Sequence, residues 1–145
     1  MSIESNKAIV RSYFERAVNQ GDLAWLDQII APNFGADGSG AHASELAGPA
    51  LARHAVQRLR QAFPDIQYTV DDLTAEDDRV AVHVTLSGTH QGEFMGIPAT
   101  GRRVTNAGAE LAILSEGKIV AAGWQLHDEM GMLRQLGALS GHGRH

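Results

Sequence analysis

The spacing of apolar residues changes once along the chain, and that change limits the fold more than any motif does. Up to Pro64 they recur at helical intervals; from Asp65 onward they alternate. Val10, Tyr13, Phe14, Ala17 and Val18 make one helical stripe. Gly21 closes that helix, and Asp22 is placed to cap the next, whose stripe of Leu23, Leu26, Ile29 and Ile30 stops before Pro32. Residues 33–47 are small, polar and glycine-rich and read as a loop. Pro49 opens a third helix carrying Leu51, Ala55, Leu59, Ala62 and Phe63.

After Pro64, Ile66, Tyr68 and Val70 mark a short strand and Asp77–Asp78 a turn. Val80, Val82, Val84 and Leu86 then alternate with Ala81, His83, Thr85 and Ser87. Residues 88–103 hold four glycines and a proline, which predicts a long irregular connection. Val104–Leu114 and Ile119–His127 read as strands around a turn at Ser115–Lys118, and Glu129–Leu136 as a closing helix. Three helices followed by an antiparallel sheet is an α+β pattern. The expected arrangement is one domain over 1–137, with the N-terminal helices on the concave face of a curved antiparallel sheet, and a flexible tail over 138–145. The helices can cover only that side, so the expectation is a homodimer formed through the other.

Composition removes several function classes. In 145 residues there are 12 Lys+Arg against 17 Asp+Glu, a net charge of −5, which argues against nucleic acid as a partner. The absence of cysteine excludes a disulfide scaffold, a thiolate nucleophile and any Cys-ligated metal. No apolar run approaches the ~20 residues of a membrane helix. The N-terminus lacks a basic start followed by an apolar run. A soluble, cytoplasmic protein with no membrane partner is the expectation. GxSxG, GxxxxGK[ST] and HExxH are all missing, and the seven histidines form no cluster at metal spacing, so no metal is expected.

The last hairpin is the informative element. A turn centred on 115–118 sets Glu110 opposite Gly123, Gly108 opposite Gln125 and Asn106 opposite His127, all on one face. The other face carries Ala109, Leu111, Ile113, Val120, Trp124 and Leu126. A carboxylate, two amides and an imidazole converging on one side describe a ligand pocket. Polar residues at every second position equally describe a solvated strand face. Tyr13, Phe14, Trp25, Phe34, Phe63, Phe94 and Met95 are candidates for an aromatic and methionine wall around a flat ligand, with Phe63 expected to be plain core. His90 and Trp124 are further candidates for substrate contact. A lone strand histidine is as readily a hydrogen-bonded structural residue, and Trp25 and Trp124 are as readily core.

The stretches GDLAWLDQIIAPNF, AFPDIQYTVDDLTAEDDRVAVHVTLSGTHQGEFMGIPATGRRVT, EGKIV and DEMGMLRQLG resemble the SnoaL-like polyketide cyclase family. The likeness runs from Lys7 to Gly137; the segment from Gly88 to Arg102 and the GMLRQLG ending are its most specific parts. It implies the cone-shaped α+β barrel of the nuclear-transport-factor-like superfamily. It also implies aromatic polyketide substrates of the anthracycline type and catalysis without cofactors.

Cyclases of this family close a ring by intramolecular aldol condensation. They carry a histidine seven residues before the glycine of the GKI turn and an aspartate six before the first glycine of the ending. Here those positions are Glu110 and Gln125; counted from the turn, the second falls on Trp124. The comparison makes this face the pocket and removes the cyclase's acid–base pair, since an amide exchanges no proton at neutral pH. The expectation is therefore the hydroxylase-type branch of the family. Glu110 or His127 would act as base, Gln125 and Asn106 would hold substrate oxygens, and dioxygen or a separate reductase would take part. The alternatives are a cyclase that uses another base and a non-catalytic binding module.

Overall fold

The computed structural model of the chain describes residues 2–35 and 46–138, Trp124 by its main chain alone. The centre of the glycine-rich loop with His42, and the tail from Leu139 with His142 and His145, lie outside the described residues. Helix α1 (Ile3–Ser12) is capped by Ser2, whose hydroxyl accepts from the Ser5 N–H at 3.0 Å. It runs into a π-helical segment, Tyr13–Val18, in which Asn19 N–H donates to the Phe14 carbonyl five residues back at 2.9 Å. A 3₁₀ turn (Leu23–Trp25) leads into α2 (Leu26–Ile29). The Asp22 side chain does not cap it; its Oδ2 is taken by Arg16 Nε at 2.6 Å. Helix α3 (Gly48–Ala62) has Pro49 in its first turn, where the missing N–H costs nothing.

Strands β1 (Gln67–Glu76), β2 (Arg79–Thr89), β3 (Arg103–Ser115) and β4 (Lys118–His127) form one antiparallel sheet in the order β1-β2-β3-β4. β1 is longer than its apolar alternation suggests because a bulge between Val70 and Asp72 interrupts the pattern midway. The β3–β4 turn carries Glu116 at φ 52° and Gly117 at φ 81°, the conformation of a two-residue hairpin. Helix α4 (Glu129–Gln135) closes the chain.

The core lies between the helices and one face of the sheet. Val80, Val82, Val84 and Leu86 of β2 meet Phe14, Val18, Leu26, Val56 and Phe63 from the helical side. Phe63 is completely buried, as expected. Burying a side chain of this kind stabilises the fold by about 1.5–3 kcal/mol. Four residues of the GMLRQLG ending have a visible structural use. Met132 and Leu136 enter the core. Gln135 holds the Thr105 backbone from both sides, its Oε1 accepting from the N–H at 2.8 Å and its Nε2 donating to the carbonyl at 2.7 Å. Asp128 caps α4 through the Gly131 N–H at 2.8 Å, and a side chain at 131 would strike that carboxylate.

The connection over 90–102 is irregular, as expected, but tied down at several points. Phe94 and Ile97 pair across a tight turn at Met95 and Gly96, both at positive φ. His90 and Arg102 continue the ladder, and Gln91 N–H docks on the Ala62 carbonyl at 2.8 Å. Gly92 fits because any Cβ there would run into the Gln61 carbonyl.

Candidate active site

The expected register of the last hairpin is wrong by two residues. Glu110 faces Gln125, and Gly108 faces His127. The cause is a pair of one-residue bulges on β4, between the rungs Leu114–Ile119 and Ile113–Ala121 and again between Ala112–Ala122 and Leu111–Trp124. One bulge would turn the polar residues to the opposite face; the second turns them back. The side of the sheet was therefore correct and the pairing was not. Each bulge needs a local accommodation: a Cβ on Gly123 would come within 2.7 Å of Leu111 Cδ2.

Two hollows flank this hairpin. The larger, about 440 Å³, is an open trough on the outer face of the sheet, lined by Asp71, His83, Ala107, Ala109 and Leu126. The smaller, about 300 Å³, lies between helices and sheet and gathers the aromatic and titratable groups, as a ligand pocket does. Tyr13, Phe14, Phe94, Met95, Asn106, Glu110, Gln125 and His127 all line it. Tyr68, Leu86, Val18, Ala55, Leu59, Met132, Asp128 and Glu129 complete its wall. Of these, Tyr68 was within reach of sequence reasoning: it is in phase with the apolar Ile66 and Val70, is buried, and pairs with Leu86.

Three of the remaining candidates stand elsewhere. Trp25 is turned to the helical side, where its indole N–H donates to Ser12 Oγ at 2.9 Å and the Arg16 guanidinium lies 4.0 Å from its ring centre. Phe34 is half-buried against the core and does not reach the cavity. His90 is wholly buried behind the wall, beside Phe63, its Nδ1 2.9 Å from Thr100 Oγ1. Thr100 N–H donates to the same Nδ1 at 3.2 Å, so that nitrogen is the acceptor and His90 orders the loop carrying Phe94 and Met95. The Trp124 side chain lies outside the described residues.

The π-helical segment is what brings the helical side to the cavity. It presents Tyr13, Phe14 and Val18, with the Tyr13 and Phe14 rings edge-on at 5.1 Å. Asn19 ties the end of that segment to β1, donating to the Tyr68 carbonyl at 2.9 Å and accepting from its N–H at 2.7 Å. Arg60 of α3 reinforces the junction by donating to the Val18 carbonyl at 2.6 Å.

On the sheet side, Gln125 Nε2 donates to Glu110 Oε1 at 3.3 Å. Burial lifts the Glu110 carboxyl above the usual carboxylate range, and the Gln125 N–H pulls it partly back. Burial, then the Glu110 charge, raises the hydroxyls of Tyr13 and Tyr68 well above the ordinary phenol value. Asn106 donates to the Asp128 carbonyl at 2.8 Å, which fixes its amide at the wall. His127 lies over Gly108, where a Cβ would meet its ring at 2.9 Å. The arrangement sets a buried carboxyl among amide, hydroxyl and imidazole groups in a space walled partly by aromatic rings. Among the described residues no group of three His, Asp or Glu side chains is placed to hold a metal ion.

Known proteins share both the fold and the sequence pattern. The aklanonic acid methyl ester cyclase DauD of Streptomyces sp. (strain C5) is 32% identical over 132 residues, covering 89% of this chain and 80% of its own. TsrD from Streptomyces laurentii superposes with a TM-score of 0.85 at 29% identity, over 96% of this chain and 99% of its own. AclR from Streptomyces galilaeus, provisionally described as a hydroxylase, gives 0.76 at 33% identity, over 96% of this chain and 85% of its own. The family model of SnoaL-like polyketide cyclase matches residues 8–136, and with the cone of helices on an antiparallel sheet already in place, the chain belongs to that family.

Proposed function

We propose that the protein closes a ring in an aromatic polyketide of the anthracycline type, with Glu110 as general base. The observation that carries this reading is the Glu110–Gln125 pair, one rung of the hairpin, at the two positions where the resemblance places the family's acid–base residues. Desolvation supports the role, because a carboxyl lifted toward neutrality accepts a proton better than an ordinary one. Relatives at 32% identity bear the name of aklanonic acid methyl ester cyclase, which favours cyclisation over the hydroxylation expected from the loss of the histidine and aspartate.

In the proposed step Glu110 takes a proton from the carbon next to a substrate carbonyl. The resulting enolate attacks a second carbonyl of the same molecule, forming one carbon–carbon bond, and the new alkoxide takes a proton. Gln125 holds Glu110 in place, and the proton that Glu110 took passes back to the new alkoxide, with His127 in the same cavity wall as the group that relays it. The flat substrate lies against Phe14, Phe94 and Met95.

Cyclisation is an isomerisation, so the test is product mass. Aklanonic acid methyl ester incubated with the protein should give a product of unchanged mass, formed equally with and without oxygen. A product one oxygen heavier, formed only in air, would instead support hydroxylation, the second reading, which the 33% identity with AclR favours. That reading would bring in a reductase. Complete absence of turnover with tight binding would point to a binding module.

We also propose a homodimer through the outer face of the sheet. Ala107, Ala109, Leu111 and Ile113 point there from β3, and Leu126 of β4 is 63% exposed among them.

A further inference from the structure

Two polar groups in the cavity have no use in the fold. The hydroxyls of Tyr13 and Tyr68 both belong to the cavity wall, and neither has a hydrogen-bond partner among the described residues. Neither is among the unpaired side-chain oxygens and nitrogens sealed away from open space, which are Asn6 Oδ1 and His90 Nε2. Both hydroxyls therefore keep open surface, on residues that line the cavity. Tyr68 is only 8% exposed, so its one open side is the cavity itself. Their placement is not loose. Phe14 packs against both rings, 5.1 Å from each. The two-point bond from Asn19 to the Tyr68 backbone sets β1 against the π-helical segment that carries Tyr13.

We infer that Tyr13 and Tyr68 form a pair of hydroxyl donors for the oxygen of a flat enol or phenol, holding it as the oxyanion while Glu110 takes the carbon-bound proton. This rests on the proposed carbon-acid chemistry and names the groups that receive its charge. The electron pair of the broken C–H bond forms the C=C bond of the enolate, and the carbonyl π pair moves to the oxygen facing the two hydroxyls. Donors aimed at the place where charge develops are what lowers the barrier of such a step. Both tyrosines carry an O–H to donate at neutral pH, and burial and the Glu110 charge hold that proton more firmly still. The division is spatial as well: donors from the helical segment and β1, base from β3.

The test is binding of alizarin, a planar dihydroxyanthraquinone whose visible band shifts to longer wavelength when it loses a phenolic proton. Glu110→Gln protein serves as the background, so that no carboxylate competes with the dye anion. Bound to that protein, the dye should keep its anionic spectrum to lower pH than free dye does. Adding Tyr13→Phe or Tyr68→Phe should weaken binding of the anion roughly tenfold or more and move the bound dye's transition back up, with the neutral form bound nearly as before. Near-ultraviolet circular dichroism verifies that the phenylalanine variants remain folded. The inference is overturned if the variants bind the anion as well as their parent, if the bound dye titrates no lower than free dye, or if the Glu110→Gln protein does not bind it. Because no turnover is involved, the tyrosine pair can stand when the cyclase reading fails, and the reverse.

Discussion

The two faces of the β3–β4 hairpin invert the usual relation between burial and polarity. The inner face, under the helices, carries Asn106, Glu110 and Gln125 beside the buried Val104, Leu114 and Ile119. The outer face, which no helix among the described residues covers, carries Ala107, Ala109, Leu111, Ile113 and an exposed Leu126. Solvation alone would sort these residues the other way round. On the proposed function each face answers to a partner: a small ligand inside, a second copy of the chain outside. The two faces can therefore be broken separately.

The largest effect belongs to the inner face. Glu110→Gln keeps the size and hydrogen-bonding reach of the side chain and removes its proton chemistry. Turnover should fall by about 10²–10⁴-fold, the usual cost of losing a general base, with the circular dichroism spectrum unchanged. A fully active variant would take Glu110 out of the mechanism and leave His127 as the base.

Next comes the outer face. Leu126→Asp places a charge in the centre of the apolar stripe and touches nothing in the core. If two copies meet there, burying an unpaired carboxylate should weaken their association at least tenfold. Light scattering at micromolar concentration should give a dimer for the native chain and a monomer for the variant. A monomeric native protein would sink the proposed interface. The inner cavity should still bind ligand in the monomer.

What the sequence made legible divides along the same hairpin. Alternation is a period-two signal, so it identifies which residues share a face. It placed Glu110, Gln125, His127 and Asn106 together on the side that proved to line the cavity. It says nothing about bulges, and β4 has two, which is why Glu110 meets Gln125 rather than Gly123. An even number of bulges leaves the faces intact and shifts only the rungs. The π-helical segment was invisible for a related reason. A stripe such as Tyr13, Phe14, Ala17 and Val18 fits both a regular helix and one widened by a residue per turn. The aromatic candidates were the least legible part, because size and hydrophobicity do not separate cavity wall from core. Trp25, Phe34 and His90 are turned elsewhere, and only packing against Arg16, the core and Thr100 shows it.

A smaller effect is expected at the rim of the inner cavity. Gly92→Ala drives a methyl group into the Gln61 carbonyl at the end of α3. The backbone there cannot move without breaking the docking of Gln91 on Ala62. Urea unfolding should show a loss of about 1–2 kcal/mol. Ligand affinity should fall with it, since the loop carries Phe94 and Met95. Unchanged affinity in a destabilised protein would mean that the loop is not part of the site.

The smallest effect is also the sharpest test of the inversion, because it measures what the inner face costs the fold. The Glu110 carboxyl is held above its ordinary range by burial, so the folded chain binds that proton more tightly than the unfolded chain does. At a pH below the ordinary carboxylate value both states carry the proton, and the group is neutral in the balance. As pH rises, the unfolded chain releases its proton first and stability falls; once pH passes the folded value the loss is complete and constant. Glu110→Gln has no such titration, and all other carboxylates are common to the two proteins. The variant should therefore match the native chain in Tm at acid pH and exceed it by a small margin at neutral pH. Thermal melts at both pH values decide the matter. Equal melting temperatures throughout would mean that Glu110 is as well solvated as a surface carboxylate, and the polar inner face would then owe nothing to function.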